Sequence, residues 1–171
     1  MGRWGEVSRV FGHWESDSVL GARGTGAIHT SVERVSRYFQ TIKIPSPSAK
    51  PTIDAQVFKI ERLPEQSVKT ITCDNAGEFS WHYKLENETG IPTYFADPYS
   101  AWQRGSNEHF NGHLRRYLPK GCSFADLTQD ELNEIIDEIN NHPRKCLGWR
   151  TPTEVFNHPT SNQAHDCCTS K

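Results

Sequence analysis

The amino-acid sequence predicts an α/β fold: a mixed central sheet that opens with a three-strand antiparallel meander and is flanked by helices. Two observations carry this. Three strand-like runs follow one another with short joins, and beyond Pro45 the apolar period lengthens from two to between three and four. Helix-like and strand-like segments then alternate, which is the pattern of parallel pairing against an existing sheet.

HWESDSVL (13–20) and AIHTSVER (27–34) read as strands joined by the glycine-rich turn Gly21–Gly26. YFQTIKI (38–44) is a third, closed by Pro45 and Pro47. Within residues 48–63, Ile53, Val57 and Ile60 fall at i, i+4 and i+7, a helix burying one face. VKTITCD (68–74) is the next strand, with Asp74 at its end. A helix over 77–88 and a strand over 92–97 follow. Over 102–118, Phe110, Leu114, Tyr117 and Leu118 stand at i, i+4, i+7 and i+8 of another helix. Thr128 opens the last expected helix through a capping box with Glu131. Leu132, Ile135, Ile136 and Ile139 form its stripe, and Pro143 stops it.

This organisation reads as one core over residues 11–156, with an N-terminal remnant at 1–10 and a disordered tail at 157–171. Nineteen basic against 21 acidic residues, a net charge of −2, exclude a uniformly basic nucleic-acid coat and allow a local basic patch. No stretch approaches the roughly 20 apolar residues that cross a bilayer, and no basic-then-apolar leader opens the chain. Five cysteines without CxxC spacing are the pattern of reduced thiols. A cytoplasmic protein with no membrane partner is the expectation.

Three acids stand where they could meet: Asp17 in the first strand, Asp74 ending a later one, and Glu108 on the penultimate helix. Arg104, Gly112 and Arg115 share the Glu108 side of that helix, opposite Phe110 and Leu114. Gathered carboxylates repel and need cations. Hard divalent ions meet that need while keeping sites for water and phosphate. Glu15 shares a strand face with Asp17, and its expected role is solvent-facing or salt-bridged. Asn107 and Asn111 flank Glu108 and are candidates to contact DNA or orient the acid. Arg104, Arg115, Arg116 and Lys120 make a positive stretch suited to a phosphate backbone. His109 and His113 have chelating spacing but lack the HExxH glutamate, which argues against zinc.

GHWESD (12–17), TCDNAGEF (72–79) and YFADPYSAWQRGSNEHFNGHLRRYLPKG (94–121) resemble, in this order, the catalytic core of IS30-family insertion-sequence transposases. The likeness extends over about residues 11–156, and the runs from Trp14 and Asp74 also look like the retroviral-type integrase core. The resemblance implies an RNase H-like fold and an Asp–Asp–Glu triad of Asp17, Asp74 and Glu108 binding two Mg²⁺ or Mn²⁺ ions. The 33 residues between the last two acids match that family's spacing. It also implies strand cleavage and transfer on element ends and target duplex, self-association, and work at the bacterial nucleoid. Ser16 and Ala76 stand where the family has Gly, and Ser18 where it has an aliphatic residue. A helix-turn-helix region usually lies upstream. These departures leave an alternative reading: a remnant that keeps DNA-binding or self-associating surfaces without turnover.

Overall fold

Five strands form one sheet in the order β3-β2-β1-β4-β5: β1 His13–Leu20, β2 Ala27–Glu33, β3 Phe39–Ile44, β4 Thr70–Cys73 and β5 Thr93–Phe95. The first three are antiparallel neighbours, and β4 and β5 run parallel to β1. The computed structural model describes residues 10–97 and 105–159. Most of the expected N-terminal remnant and tail lies outside them.

Five helices accompany the sheet among the described residues: α1 Ala49–Ile60, α2 His82–Thr89, α3 Gly105–Tyr117, α4 Gln129–Asn140 and α5 Pro152–Asn157. Among the described residues, no helix is long and apolar enough to cross a membrane. Strand alternation divides the core. Val19, Ile28 and Val32 meet Phe110 and Leu114 of α3 and Leu132, Ile136 and Ile139 of α4 on one face. Trp14, Ile71 and Cys73 meet Ile53 of α1, with Phe79, Leu85 and Phe156, on the other.

Two elements differ from the sequence expectation. The helix expected over 77–88 divides into a 3-10 turn, Gly77–Phe79, and α2, which ends at Gly90 with φ 70°. Phe79 and Leu85 both bury in one cluster. Six residues at about 100° each would aim them roughly 120° apart in a continuous helix, so the break serves the core. Helix α5 was not anticipated. Its signal is a second capping box, Thr151 with Glu154, with Pro152 in the first turn.

Edge strand β3 has its outer backbone groups taken up by side-chain amides of α4. Asn140 Oδ1 accepts from Phe39 N at 2.9 Å and Asn140 Nδ2 donates to Phe39 O at 2.8 Å. Gln129 Oε1 accepts from Lys43 N at 2.9 Å, and its Nε2 reaches Thr41 O at 3.4 Å. The amides stand in for a neighbouring strand and blunt the edge against pairing with another chain. Replacing Asn140 by Leu strands a buried N–H and a buried C=O, so urea denaturation should show a loss of about 2 kcal/mol or more.

Between α1 and the sheet, Lys59 is buried and its Nζ donates to Ser31 Oγ at 2.5 Å. Burial lowers its pKa to about 7. The unfolded chain therefore takes up this proton near pH 10.5, well before the native state does. Stability contributed here falls as pH drops from about 10.5 to about 7 and then levels off. Unfolding free energy measured across that window should climb with pH in the wild type. The climb should flatten in Lys59→Met; an unchanged slope would place the linkage elsewhere.

Candidate active site

The site grows from the β1/β4 pairing. His13, Trp14 and Glu15 pair in parallel register with Thr70, Ile71 and Thr72. The paired register ends there; Asp17 lies two residues further along β1 and Asp74 just past the end of β4, and the charges of both act on Glu78. The parallel pairing brings the two acids to the same end of the sheet. Cys73 packs with α1, and by alternation Asp74 turns to the α3 side, the side Asp17 faces.

Local hydrogen bonds orient both acids. Asp17 Oδ1 accepts from Ser18 N at 2.8 Å and its Oδ2 from Asn111 Nδ2 at 3.1 Å. Asp74 Oδ1 accepts from Ala76 N at 3.0 Å, and Asn75 Nδ2 ties the same turn to Ala96 O. Ala76 sits at φ −70°, ψ 147°, an ordinary extended conformation. The loss of Gly there therefore costs no backbone strain.

Helix α3 is fixed over β1 by a residue the sequence left at the margin. Glu15 is buried; its Oε1 accepts from Arg34 Nε at 2.9 Å and its Oε2 from Asn107 N at 2.9 Å. An anion at the first turn of a helix meets unpaired N–H groups and the positive end of the helix dipole. The salt-bridged half of the expectation for Glu15 is correct; the solvent-facing half is not.

Asn107 is a correction. Fully buried, it donates to Glu15 O at 3.0 Å and accepts from Thr30 Oγ1 at 3.0 Å. It locks the helix to the sheet and has no surface to offer DNA. Asn111 reaches Asp17, as a residue orienting an acid would. Its Oδ1 is buried without a hydrogen-bond partner among the described residues.

Glu108, one turn before Asn111, is exposed on α3. Arg116 and Lys120 are exposed as well. Arg115 is half-buried, and its Nη2 donates to Leu20 O at 2.8 Å at the surface, tying the end of α3 to the end of β1. Gly105 and Gly112 face open space, so no close backbone approach within the chain explains them. Arg104 lies outside the described residues.

The sequence reading missed Glu78, although it lies in the quoted run from Asp74. This acid is buried to 9% exposure in the 3-10 turn. Burial raises its pKa; a hydrogen bond from Ser18 opposes this, and the charges of Asp74 and Asp17 add to the rise. Ser18, which replaces an aliphatic residue, thus gains a partner in Glu78, and Ser16 pairs with Ser31 at 2.9 Å.

Among the described residues, no three His, Cys, Asp or Glu side chains stand close enough to hold a metal ion as a set. The donor chemistry nevertheless fits a hard divalent cation. Asp17 and Asp74 offer carboxylate oxygens, Glu78 feels the charge of both, and the Asn111 amide oxygen beside Asp17 lacks a donor among the described residues.

No family model matches the chain. The transposase for insertion sequence element IS1086 of Cupriavidus metallidurans is 40% identical over 145 residues, covering 85% of this chain and 43% of that protein. Transposase InsI for element IS30A of Escherichia coli is 39% identical over 148 residues, 86% of this chain and 38% of that protein. The transposase for element IS4351 of Bacteroides fragilis is 36% identical over 151 residues, 88% and 46%. Among solved structures, the catalytic core domain of BIV integrase superposes with a TM-score of 0.65 at 21% identity, covering 86% of this chain and 94% of that one. A simian T-cell lymphotropic virus intasome chain gives a TM-score of 0.70 at 19% identity, covering 94% and 60%. The fold is thus the RNase H-like fold of integrase catalytic cores. By sequence the chain is similar to IS30-type insertion-sequence transposases, and it spans about two fifths of the length of the curated relatives it matches.

Proposed function

We propose that this chain is the catalytic core of a transposase, cutting and joining DNA strands with divalent metal held by Asp17, Asp74 and Glu108. The observation that supports the reading is the parallel β1/β4 pairing, which brings Asp17 and Asp74 to one end of the sheet, with their charges acting together on Glu78. Glu108 comes from α3, one turn from the residue that touches Asp17. Two Mg²⁺ or Mn²⁺ ions held there would supply activation of the attacking oxygen and stabilisation of the departing one.

The protein's own part is positional. Asn111 and the Ser18 amide hold the Asp17 carboxylate in one orientation, and the Asp74 turn does the same through the Ala76 amide. The Glu15–Asn107 lock fixes the register of α3, the helix that carries the exposed Glu108. In the first step water attacks the phosphodiester at an element end, and the bond to the 3′ oxygen breaks to leave a 3′-hydroxyl. In the second, that hydroxyl attacks a target phosphodiester, whose own 3′ oxygen departs. Both are displacements of an alkoxide at phosphorus, so one pocket serves both.

DNA, as element ends and target duplex, is the partner in this reading. The work is done by a multimer, in the cytoplasm at the bacterial nucleoid. Asp17→Asn, Asp74→Asn and Glu108→Gln should each lower Mn²⁺-dependent strand transfer by at least 10³-fold while leaving the thermal midpoint without metal within a few degrees. Retained activity in any one of them removes that acid from the mechanism. Glu15→Gln should behave in the opposite sense. It weakens the buried pair with Arg34 and should destabilise the domain by about 2 kcal/mol or more in urea.

A further inference from the structure

A cluster of nitrogen bases outside the carboxylate site converges from three parts of the chain. His109, His113 and Arg116 come from α3, Arg37 from the β2–β3 turn, and Arg144 from the segment after α4. Arg144 Nη1 lies 2.9 Å from His113 Nε2, and His109 Nε2 lies 3.1 Å from the same nitrogen. Arg144 is held in place from behind: Nη2 donates to Ile139 O at 3.2 Å and the guanidinium stacks 4.9 Å from the Phe110 ring. Its Nε is buried without a hydrogen-bond partner among the described residues. Arg37 sits at φ 63° and hydrogen-bonds Ser106 Oγ at the first turn of α3.

The paired imidazole nitrogens have the spacing of a metal chelate, yet the guanidinium on His113 Nε2 occupies the position a cation would need. Burial and then the Arg144 charge hold the His113 pKa down, to about 4, and Arg144 itself is lowered by burial and by Arg116. Three guanidinium groups therefore act on one neighbourhood of α3, and such a surface attracts an anion. The chain at Arg144 is closed on itself by Trp149 N donating to Arg144 O at 2.9 Å. The Trp149 side chain stands 71% exposed with φ 65°.

We propose that Arg37, Arg116 and Arg144, with His109 and His113, form a second phosphate-binding surface that takes the backbone of a DNA duplex on the flank of α3. The proposal rests on the reading that this chain works on DNA. It adds Arg37 and Arg144 to Arg116, which already belongs to the positive stretch visible in the sequence. Guanidinium forks suit phosphate oxygens, and the contact is independent of base sequence.

The test is duplex binding by the full chain, measured by fluorescence anisotropy at several salt concentrations with EDTA present. Arg116→Gln and Arg144→Gln should each weaken binding about 5- to 10-fold on unrelated duplex sequences. Each should also lower the slope of log affinity against log salt by about one. Arg116 is exposed, so its variant keeps the fold even where the packed Arg144 does not. Lys50→Gln, on α1 across the sheet, should bind as the wild type does. Variants indistinguishable from a wild type that binds would overturn this surface alone. A wild type that binds no duplex would overturn the DNA reading with it.

Discussion

Parallel pairing of β1 with β4 brings Asp17 and Asp74 to one end of the sheet, and the proposed site depends on that pairing. The β1/β4 register fixes the strands up to Glu15 and Thr72, two residues short of the acids. What the fold supplies instead is orientation: an amide on each acid and the Asn111 side chain on one of them. Glu78 lies close enough to feel the same field and is pushed toward its protonated form. In this account divalent cations neutralise the concentration of charge.

The third acid depends on a different device. Helix α3 rests over β1 on apolar contacts from Phe110 and Leu114 that fix its face. Its register along the strand is set by polar contacts: Glu15 on the first turn, Asn107 on Glu15 and Thr30, Arg115 on the end of β1. A buried ion pair is a costly way to hold a helix, because desolvation offsets much of its attraction. Its value lies in specificity, since a slip of one residue would carry Glu108 about 100° away from the acids.

Much of the fold was legible because apolar periodicity and turn chemistry agreed locally. The meander, the strand ending at Asp74 and the capped helix from Thr128 follow from alternation, from Gly and Pro, and from one capping box. The helix over 77–88 misled because Phe79 and Leu85 bury together only if the helix is broken, which is a tertiary demand. Helix α5 had its capping signal in Thr151 and Glu154, but at six residues it offers too little periodicity to stand out. At the site, residue identity marked candidate acids, and family resemblance ordered them. Residue identity could not separate Asn107 from Asn111, because which of two polar neighbours turns inward is decided by what lies beneath the helix. Glu15 and Arg34 are another such case: neither charge is marked as buried until β1 and β2 are paired. Arg144 and His113, 31 residues apart, meet only once α3 and α4 pack.

The central claim is that the third acid completes a cation site begun by the first two. A crystal of the protein soaked in Mn²⁺ and measured for anomalous scattering tests it most directly. The account expects density between Asp17 and Asp74 with the Glu108 side chain turned in from α3 to reach it. Manganese bound elsewhere, or bound at the aspartates with Glu108 still pointing to solvent, would contradict it.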